Sequence, residues 1–323
     1  MKPLVKSFGS SPIRLAMLGM VDGNGHPYSW SAMFNGYNPA EMAKCPFPAI
    51  PAYLDKEPKK TLQIQGALVT HVWTDDPRDA ELVAQAALIP HIASRPEDVI
   101  GQVDAVIIAT DKGHEHVERC RPFIEAGLPV FVDKPLVDNE EDLRTFVRWV
   151  SEGKTILSSS SMRYSKEYAP YRLSTHNLGA IRFATITTPK SWERYGIHAM
   201  EGLYPILGPG FLSAQNLVSE KERNVVHFRH ESGVEVIVTA IDDMYGSFGI
   251  LQLCGTSDYA VAASKDSFYQ FKAQLQAFID YLHTGVRPFP FEETVELMKM
   301  VIAGIRSREE GGRVVGLDEI LER

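Results

Sequence analysis

The chain has 323 residues, of which 44% are apolar and 23% charged, an ordinary balance for a water-soluble globular protein and long enough to bury two cores. A formal net charge of −8, with lysines not gathered into runs, argues against nucleic acid or an anionic membrane as the main partner. Three widely spaced cysteines, Cys45, Cys120 and Cys254, with no Cys-x-x-Cys, indicate neither a disulfide framework nor a zinc site.

Taken in chain order, Ile13 to Leu18 reads as the first strand. The run RLAMLGMV around it resembles the apolar part of a secretory leader. It is short, contains Arg14 and lacks a small-x-small cleavage site before DGNG, and no stretch is long enough to span a bilayer, so a cytoplasmic protein is expected. The turn that follows carries Gly19, Gly23 and Gly25, with Ser29 as a final small position. This is a stretched form of the G-x-G-x-x-G turn that lets backbone amides and a helix N-terminus approach a pyrophosphate; equally, the glycines only shape a tight turn. His26, Tyr28 and Trp30 crowd the same turn and either touch a ligand or seal the domain. A helix is expected from Ser29 or Ser31. Residues 37–62 then depart from a simple strand–helix–strand pattern: Pro46, Pro48, Pro51 and Pro58 predict an irregular excursion, read as a lid or interface loop. A second strand follows at Ala67 to Trp73. Beyond it, Asp75 and Asp76 stand where a carboxylate accepts from adenosine ribose hydroxyls and repels a 2′-phosphate, which favours NAD over NADP. The same Asp-Asp-Pro also reads as a helix cap, with a helix from Arg78 to Ala87.

Ala105 to Ala109 and Val130 to Val132 are unbroken apolar runs, as expected of parallel strands covered on both faces. Between them Val117, Cys120, Phe123 and Ile124 recur at helical spacing, and Gly127 ends the helix, so the segment is one crossover unit. Next comes Asp133-Lys134-Pro135. The proline biases Lys134 toward an extended conformation at the C-terminal edge of its strand, where open α/β sheets bind ligands; by itself such a lysine also reads as a solvated loop residue. A helix at Glu140 to Ser151 and a strand at Thr155 to Ser158 complete a first domain, residues 1–158. In residues 159–323 the runs RFATITTP, VVHFRHESGVEVIVTA and SFGILQLCG predict an antiparallel sheet with one face on helices, HESG being a hairpin turn, followed by a helix from Lys272 to His283. The expected fold is α/β, a doubly wound, Rossmann-like parallel sheet followed by an α+β domain with a large, mostly antiparallel open sheet, the C-terminal helices packing back on the first domain. His114 and His116 lack a third ligand, so no metal site is expected. There is no G-x-S-x-G elbow of a hydrolase.

Residues 104–135, DAVIIATDKGHEHVERCRPFIEAGLPVFVDKPL, resemble the signature region of the Gfo/Idh/MocA oxidoreductases, with Asp133-Lys134-Pro135 standing for the family's Glu-Lys-Pro. The likeness extends from the first strand to the SREEGGRVVGL ending. It implies that Lys134 lies beside the nicotinamide and the reacting hydroxyl of a sugar or polyol. It also implies a cofactor cradle of Gly19, Gly23, Gly25, Asp75, Asp76, Thr110, His116, Asp133 and Lys134. SWERYGIHAMEGLYPILG resembles the family helix that bears a catalytic histidine, so His198 takes the role of general base and Lys134 supports the developing alkoxide. Met162-Arg163-Tyr164 resembles a substrate-side segment; Arg163 and Tyr164 either reach a polyol or make a strand-end salt bridge. The chain departs from the family pattern at Asp111, in place of a proline in a loop one residue longer, and at Arg194, in place of an aspartate four residues before the histidine. Glu193 could substitute for that aspartate, or Arg194 could meet an anionic substrate. Glu201 either orients the imidazole or caps a turn. The resemblance implies an NAD-dependent oxidoreductase of a secondary hydroxyl on a sugar, polyol or sugar derivative, a homodimer or homotetramer through the C-terminal sheet. Two other readings stay open, a catalytically silent nucleotide- or sugar-binding protein and an NAD-retaining lyase or hydrolase-like enzyme that oxidises transiently.

Overall fold

The computed structural model describes residues 3–5, 11–218 and 220–322. In the first half, β1 (Ile13–Leu18) leads through the glycine turn into α1 (His26–Asn35), and the excursion forms α2 (Pro39–Met42), α3 (Ala49–Leu54) and α4 (Lys59–Leu62). Then come β2 (Ala67–Trp73), α5 (Pro77–Ala86), β3 (His91–Ile92), β4 (Ala105–Ile108), α6 (His116–Glu125), β5 (Val130–Val132), α7 (Glu140–Ser151) and β6 (Ile156–Ser158). The strands pair in the order β3-β2-β1-β4-β5-β6, every pair parallel. The order reverses between β1 and β4, and the crevice at their C-terminal ends is where such sheets take ligands.

Two expectations need correction. The helix after the glycine turn starts at His26, earlier than Ser29 or Ser31, because Pro27 in its first turn already has helical φ and Asn24 Oδ1 accepts from the His26 N–H at 2.9 Å. The 37–62 excursion is not a loose lid: Met42, Ile50, Leu54 and Leu62 are buried in the core on one face of the first sheet. A Cβ on Gly25 would lie 2.5 Å from Ile50 Cδ1 and from Phe47 Cδ2, so that glycine is needed for this close packing.

The second half begins with α8 (Ala169–Leu173) and β7 (Ile181–Pro189). A wide π turn, Trp192–Gly196, opens α9 (Ile197–Leu207), followed by β8 (Phe211–Asn216), β9 (Arg223–His230), β10 (Glu235–Ile241), β11 (Ile250–Gly255) and β12 (Tyr259–Ala263). The chain closes with α10 (Ser267–Thr284), α11 (Phe291–Glu309) and β13 (Val315–Gly316). These strands make a seven-stranded sheet, β12-β11-β7-β10-β9-β8-β13, antiparallel except for β7 with β10. Its inner residues, including Ala184, Ile186, Val226, Phe228, Val236, Val238 and Leu253, share a core with Met200 and Leu203 of α9 and Leu297 and Val301 of α11. Leu275, Phe278 and Ile279 of α10 join the core of the first sheet, with Phe278 5.5 Å from Phe131 between ring centroids. No helix among the described residues is long and apolar enough to cross a membrane.

Candidate active site

A cleft of about 300 Å³ opens where the glycine turn, the loops after β4 and β5, the turn into α9 and the start of α10 converge, and Asn24, His26, Asp111, Lys134, Tyr195 and His198 line it. Lys134 sits at the end of β5, joined to Pro135 by a cis peptide, and its side chain is only 3% exposed. Its Nζ donates to Asp111 Oδ2 at 3.4 Å and lies 5.2 Å from the centre of the Tyr195 ring. Burial opposes the ammonium, but Asp133 and Asp111 outweigh it and hold the Lys134 pKa above the usual lysine value.

Asp133 is the hub of the first-domain side. Its Oδ1 accepts from the Lys134 N–H at 2.7 Å, and its Oδ2 accepts from Asn24 Nδ2 at 3.0 Å and meets His26 Nδ1 at 2.6 Å. The carboxyl is wholly buried, which alone would raise its pKa; His26 and Lys134 bring it below the ordinary carboxylate range. The His26 ring stacks on Trp30 at 4.3 Å and meets the edge of Phe271. The open choice at the glycine turn is thus resolved for two residues, His26 facing the cleft and Trp30 packing behind it.

The two departures from the family pattern meet each other. Arg194 Nη2 donates to Asp111 Oδ1 at 2.7 Å and to the Asp22 carbonyl at 3.1 Å, so a residue of the second domain reaches over the glycine turn. Burial would raise the Asp111 pKa, yet Lys134 and Arg194 lower it to about 2. Arg194 is therefore already neutralised. Glu193, expected beside the substrate, points the other way and bonds Arg308 at 2.5 Å. A one-residue step around the wide turn sends neighbouring side chains to different neighbours.

His198 stands in the first turn of α9, 4% exposed, with Nδ1 2.7 Å from Ser160 Oγ and its ring against Tyr195 and Phe248. Burial first, then the positive charge of Lys134, pushes its pKa well below 6.5, so the imidazole is neutral at pH 7. Glu201 does not touch His198; it accepts from the Ser160 N–H at 3.1 Å and pairs with Arg163, and so acts on the imidazole only through Ser160. Arg163 likewise pairs with Glu201 and Glu293 and lies 3.9 Å over Phe289. Tyr164 is not among the cleft-lining residues, and its buried hydroxyl has no protein partner among the described residues. Side chains unmarked by any sequence motif also join the site, Asn24, Tyr195 and Phe248 among them. Tyr195 lines the cleft, and Lys190 donates to its hydroxyl at 2.6 Å from a backbone held at φ 65°, a conformation rare outside glycine.

On the other side of the glycine turn a second cavity of about 250 Å³ is lined by Gly19, Trp73, Ile108 and Arg119 among others. Asp75 faces this edge, accepting from the Met20 N–H at 3.2 Å and from Arg119 at 2.8 Å. Asp76 faces away: it caps α5 and pairs with Arg78. Gly19, at φ 86°, lets the turn approach Thr110, whose Cγ2 would be 2.7 Å from an added Cβ, and Thr110 Oγ1 is buried without a partner. Gly23, also left-handed, lies under Arg194. His116 is wholly buried with both ring nitrogens on carbonyls, of Leu136 and Thr110, so it ties two loops together and faces neither cavity. An orphaned Thr110 hydroxyl, the left-handed glycines and two cavities flanking one turn fit a dinucleotide laid across the β1/β4 crevice.

Residues 50–160 match the family model described as an oxidoreductase family with an NAD-binding Rossmann fold, which bears out the Gfo/Idh/MocA resemblance read from residues 104–135. Among solved structures, the chain is similar to the myo-inositol dehydrogenase from Lactobacillus casei in complex with NAD(H) and myo-inositol, at 15% identity and TM-score 0.72, covering 95% of this chain and 97% of that one. It is similar to the scyllo-inositol dehydrogenase from the same organism with bound NAD(H) and scyllo-inositol, at 13% identity and TM-score 0.71, covering 95% and 99%. An oxidoreductase from Agrobacterium radiobacter in complex with NAD+, L-tartaric acid and magnesium gives 15% identity and TM-score 0.72, covering 96% and 100%. At these identities the likeness establishes the fold. No curated protein sequence matches the chain.

Proposed function

We propose that this protein is an NAD-dependent dehydrogenase acting on a secondary hydroxyl of an uncharged polyol or sugar. The observation that carries this reading is the buried ammonium of Lys134 sharing one cleft with the neutral imidazole of His198 at the switch point of the first sheet. Bound NAD+ would supply the hydride acceptor. The glycine turn, the N-terminus of α1 and Thr110 would hold its phosphates and nicotinamide half, and Asp75 its adenosine ribose, where a carboxylate disfavours a 2′-phosphate. Lys134 and His198 would bracket the reacting oxygen, Lys134 placing positive charge where an alkoxide develops in a site with little water.

Charge balance supports a neutral substrate. Lys134 and Arg194 face Asp111 and Asp133, so the guanidinium that reaches over the glycine turn is already paired with a carboxylate. Partly exposed Phe183, Ile250 and Val261 on the outer face of the second sheet support assembly of a dimer or tetramer through that face. The test is fluorescence titration with NADH and NADPH, followed by a spectrophotometric screen of inositols and sugars with NAD+. Tighter binding of NADH, weakened by Asp75→Ala, with turnover abolished by Lys134→Met, is the expected result. Folded protein, free of copurified nucleotide, that binds neither cofactor refutes the reading in favour of a silent binding protein.

A further inference from the structure

The two histidines that line the cleft are held by chemically opposite partners. His26 presents Nδ1 to the Asp133 carboxylate at 2.6 Å, and an ionised carboxylate only accepts, so Nδ1 carries the hydrogen. In the neutral ring the lone pair then lies on Nε2, which has no partner among the described residues. His198 presents Nδ1 to the Ser160 hydroxyl at 2.7 Å. That oxygen already accepts from the Met162 N–H at 3.1 Å, and its own hydrogen finds no acceptor among the described residues except His198 Nδ1. Ser160 is wholly buried, so leaving that hydrogen unpaired is unfavourable by roughly 1–3 kcal/mol. The hydroxyl therefore donates into Nδ1, and the hydrogen of His198 sits on Nε2.

We propose that the cleft holds its two histidines in opposite tautomers, so that His26 is the proton acceptor for the substrate hydroxyl and His198 is a hydrogen-bond donor to the same oxygen. A hydroxyl has two lone pairs and one hydrogen. Lys134 Nζ and His198 Nε2–H fill the lone pairs, and His26 Nε2 takes the hydrogen. As the O–H bond breaks, a new N–H bond forms on His26. Bound NAD+ would take the C–H electron pair as hydride while the C=O bond forms, and the His26 imidazolium, stabilised by Asp133, would then release its proton to water. The role assigned to the substrate rests on the dehydrogenase reading; the tautomers do not. Neither His26 nor Asn24-mediated support of Asp133 depends on the α9 helix, so this acceptor belongs to the first domain, on the cofactor's side of the cleft.

The experiment is long-range ¹H–¹⁵N correlation on cofactor-free, ¹⁵N-histidine-labelled full-length protein at neutral pH, with signals assigned by their loss in His26→Gln and His198→Asn. The expected spectrum shows His26 with hydrogen on Nδ1 and His198 with hydrogen on Nε2, and Ser160→Ala relaxes the preference at His198 while leaving His26 unchanged. Both rings in the same tautomer, or the reverse pair, overturns the proposal. A second readout uses whichever inositol the wild type oxidises with NAD+: His26→Gln lowers kcat by about 10²-fold or more with KM little changed, and retention of kcat overturns the acceptor role. Wild-type protein that binds no NADH sinks the dehydrogenase reading instead, and the spectra still decide the tautomers.

Discussion

Asp111→Asn removes the carboxylate that joins Lys134 to Arg194 while keeping its shape. In the native protein this group ionises near pH 2, against 3.8 when unperturbed. The folded state thus binds its proton less tightly than the unfolded state, and stability is present above the unfolded value and lost as pH falls toward the folded one. By linkage, the difference contributes about 2 kcal/mol at pH 7, nearly all of it at pH 4, and roughly half at pH 3. Asn at this position has no such dependence. Urea unfolding of wild type and Asp111→Asn at pH 7, 4 and 3 is expected to show the variant about 2 kcal/mol less stable at neutrality, with the gap narrowing at pH 3. Adding Arg194→Met to both backgrounds closes a double-mutant cycle. Arg194 is 30% exposed on its side chain, which screens the pair, so a coupling of about 1 kcal/mol is expected, with the rest of the Asp111 effect belonging to Lys134. A gap that is the same at pH 3 and pH 7, or absent at both, refutes the reasoning that these cations hold the carboxylate ionised.

If the proposed dehydrogenase reading holds, Lys134→Met lowers kcat by about 10³-fold while NADH affinity changes little, because in that reading the ammonium acts on charge that develops during reaction; steady-state kinetics beside the fluorescence titration separates the two. For His198 the native pKa is depressed, so below about pH 6.5 the unfolded state takes up a proton that the folded state refuses, and stability falls as the solution is acidified. His198→Phe should remove up to about 1.4 kcal/mol per pH unit of that slope between pH 6 and 5, as read by urea midpoints. Gly25→Ala is expected to destabilise by about 1–3 kcal/mol through overlap with Ile50 and Phe47, with partial recovery on adding Ile50→Val, measured by thermal unfolding.

Much of the first domain was legible because parallel strands buried on both faces must be continuous apolar runs. That physics marked β5 with the bounds it has, the bounds of β1, β2 and α7 were also legible from their local patterns, and the crossover between β4 and β5 carried the family resemblance. The second domain was read more coarsely. β12 and β13 are short edge strands, and β8 beside β13 carries exposed positions such as Leu212, so their alternation is weak, and no local pattern states that β7 pairs parallel with β10. Lys134 and His198 could be marked because each lies in a recognisable stretch of chain. Their surroundings could not. Asp111 meets Arg194 across 83 residues and His26 meets Asp133 across 107. The sequence by itself determined most of the strands and helices around the first sheet, since burial leaves a periodic record along the chain. Only the tertiary structure decided which charge faces which, that Glu193 turns to Arg308 while Arg194 turns to the cleft, and which nitrogen of each histidine is left open. Those outcomes depend on electrostatic and hydrogen-bond partners brought together from distant segments, and a pairing between distant segments leaves no periodicity to read.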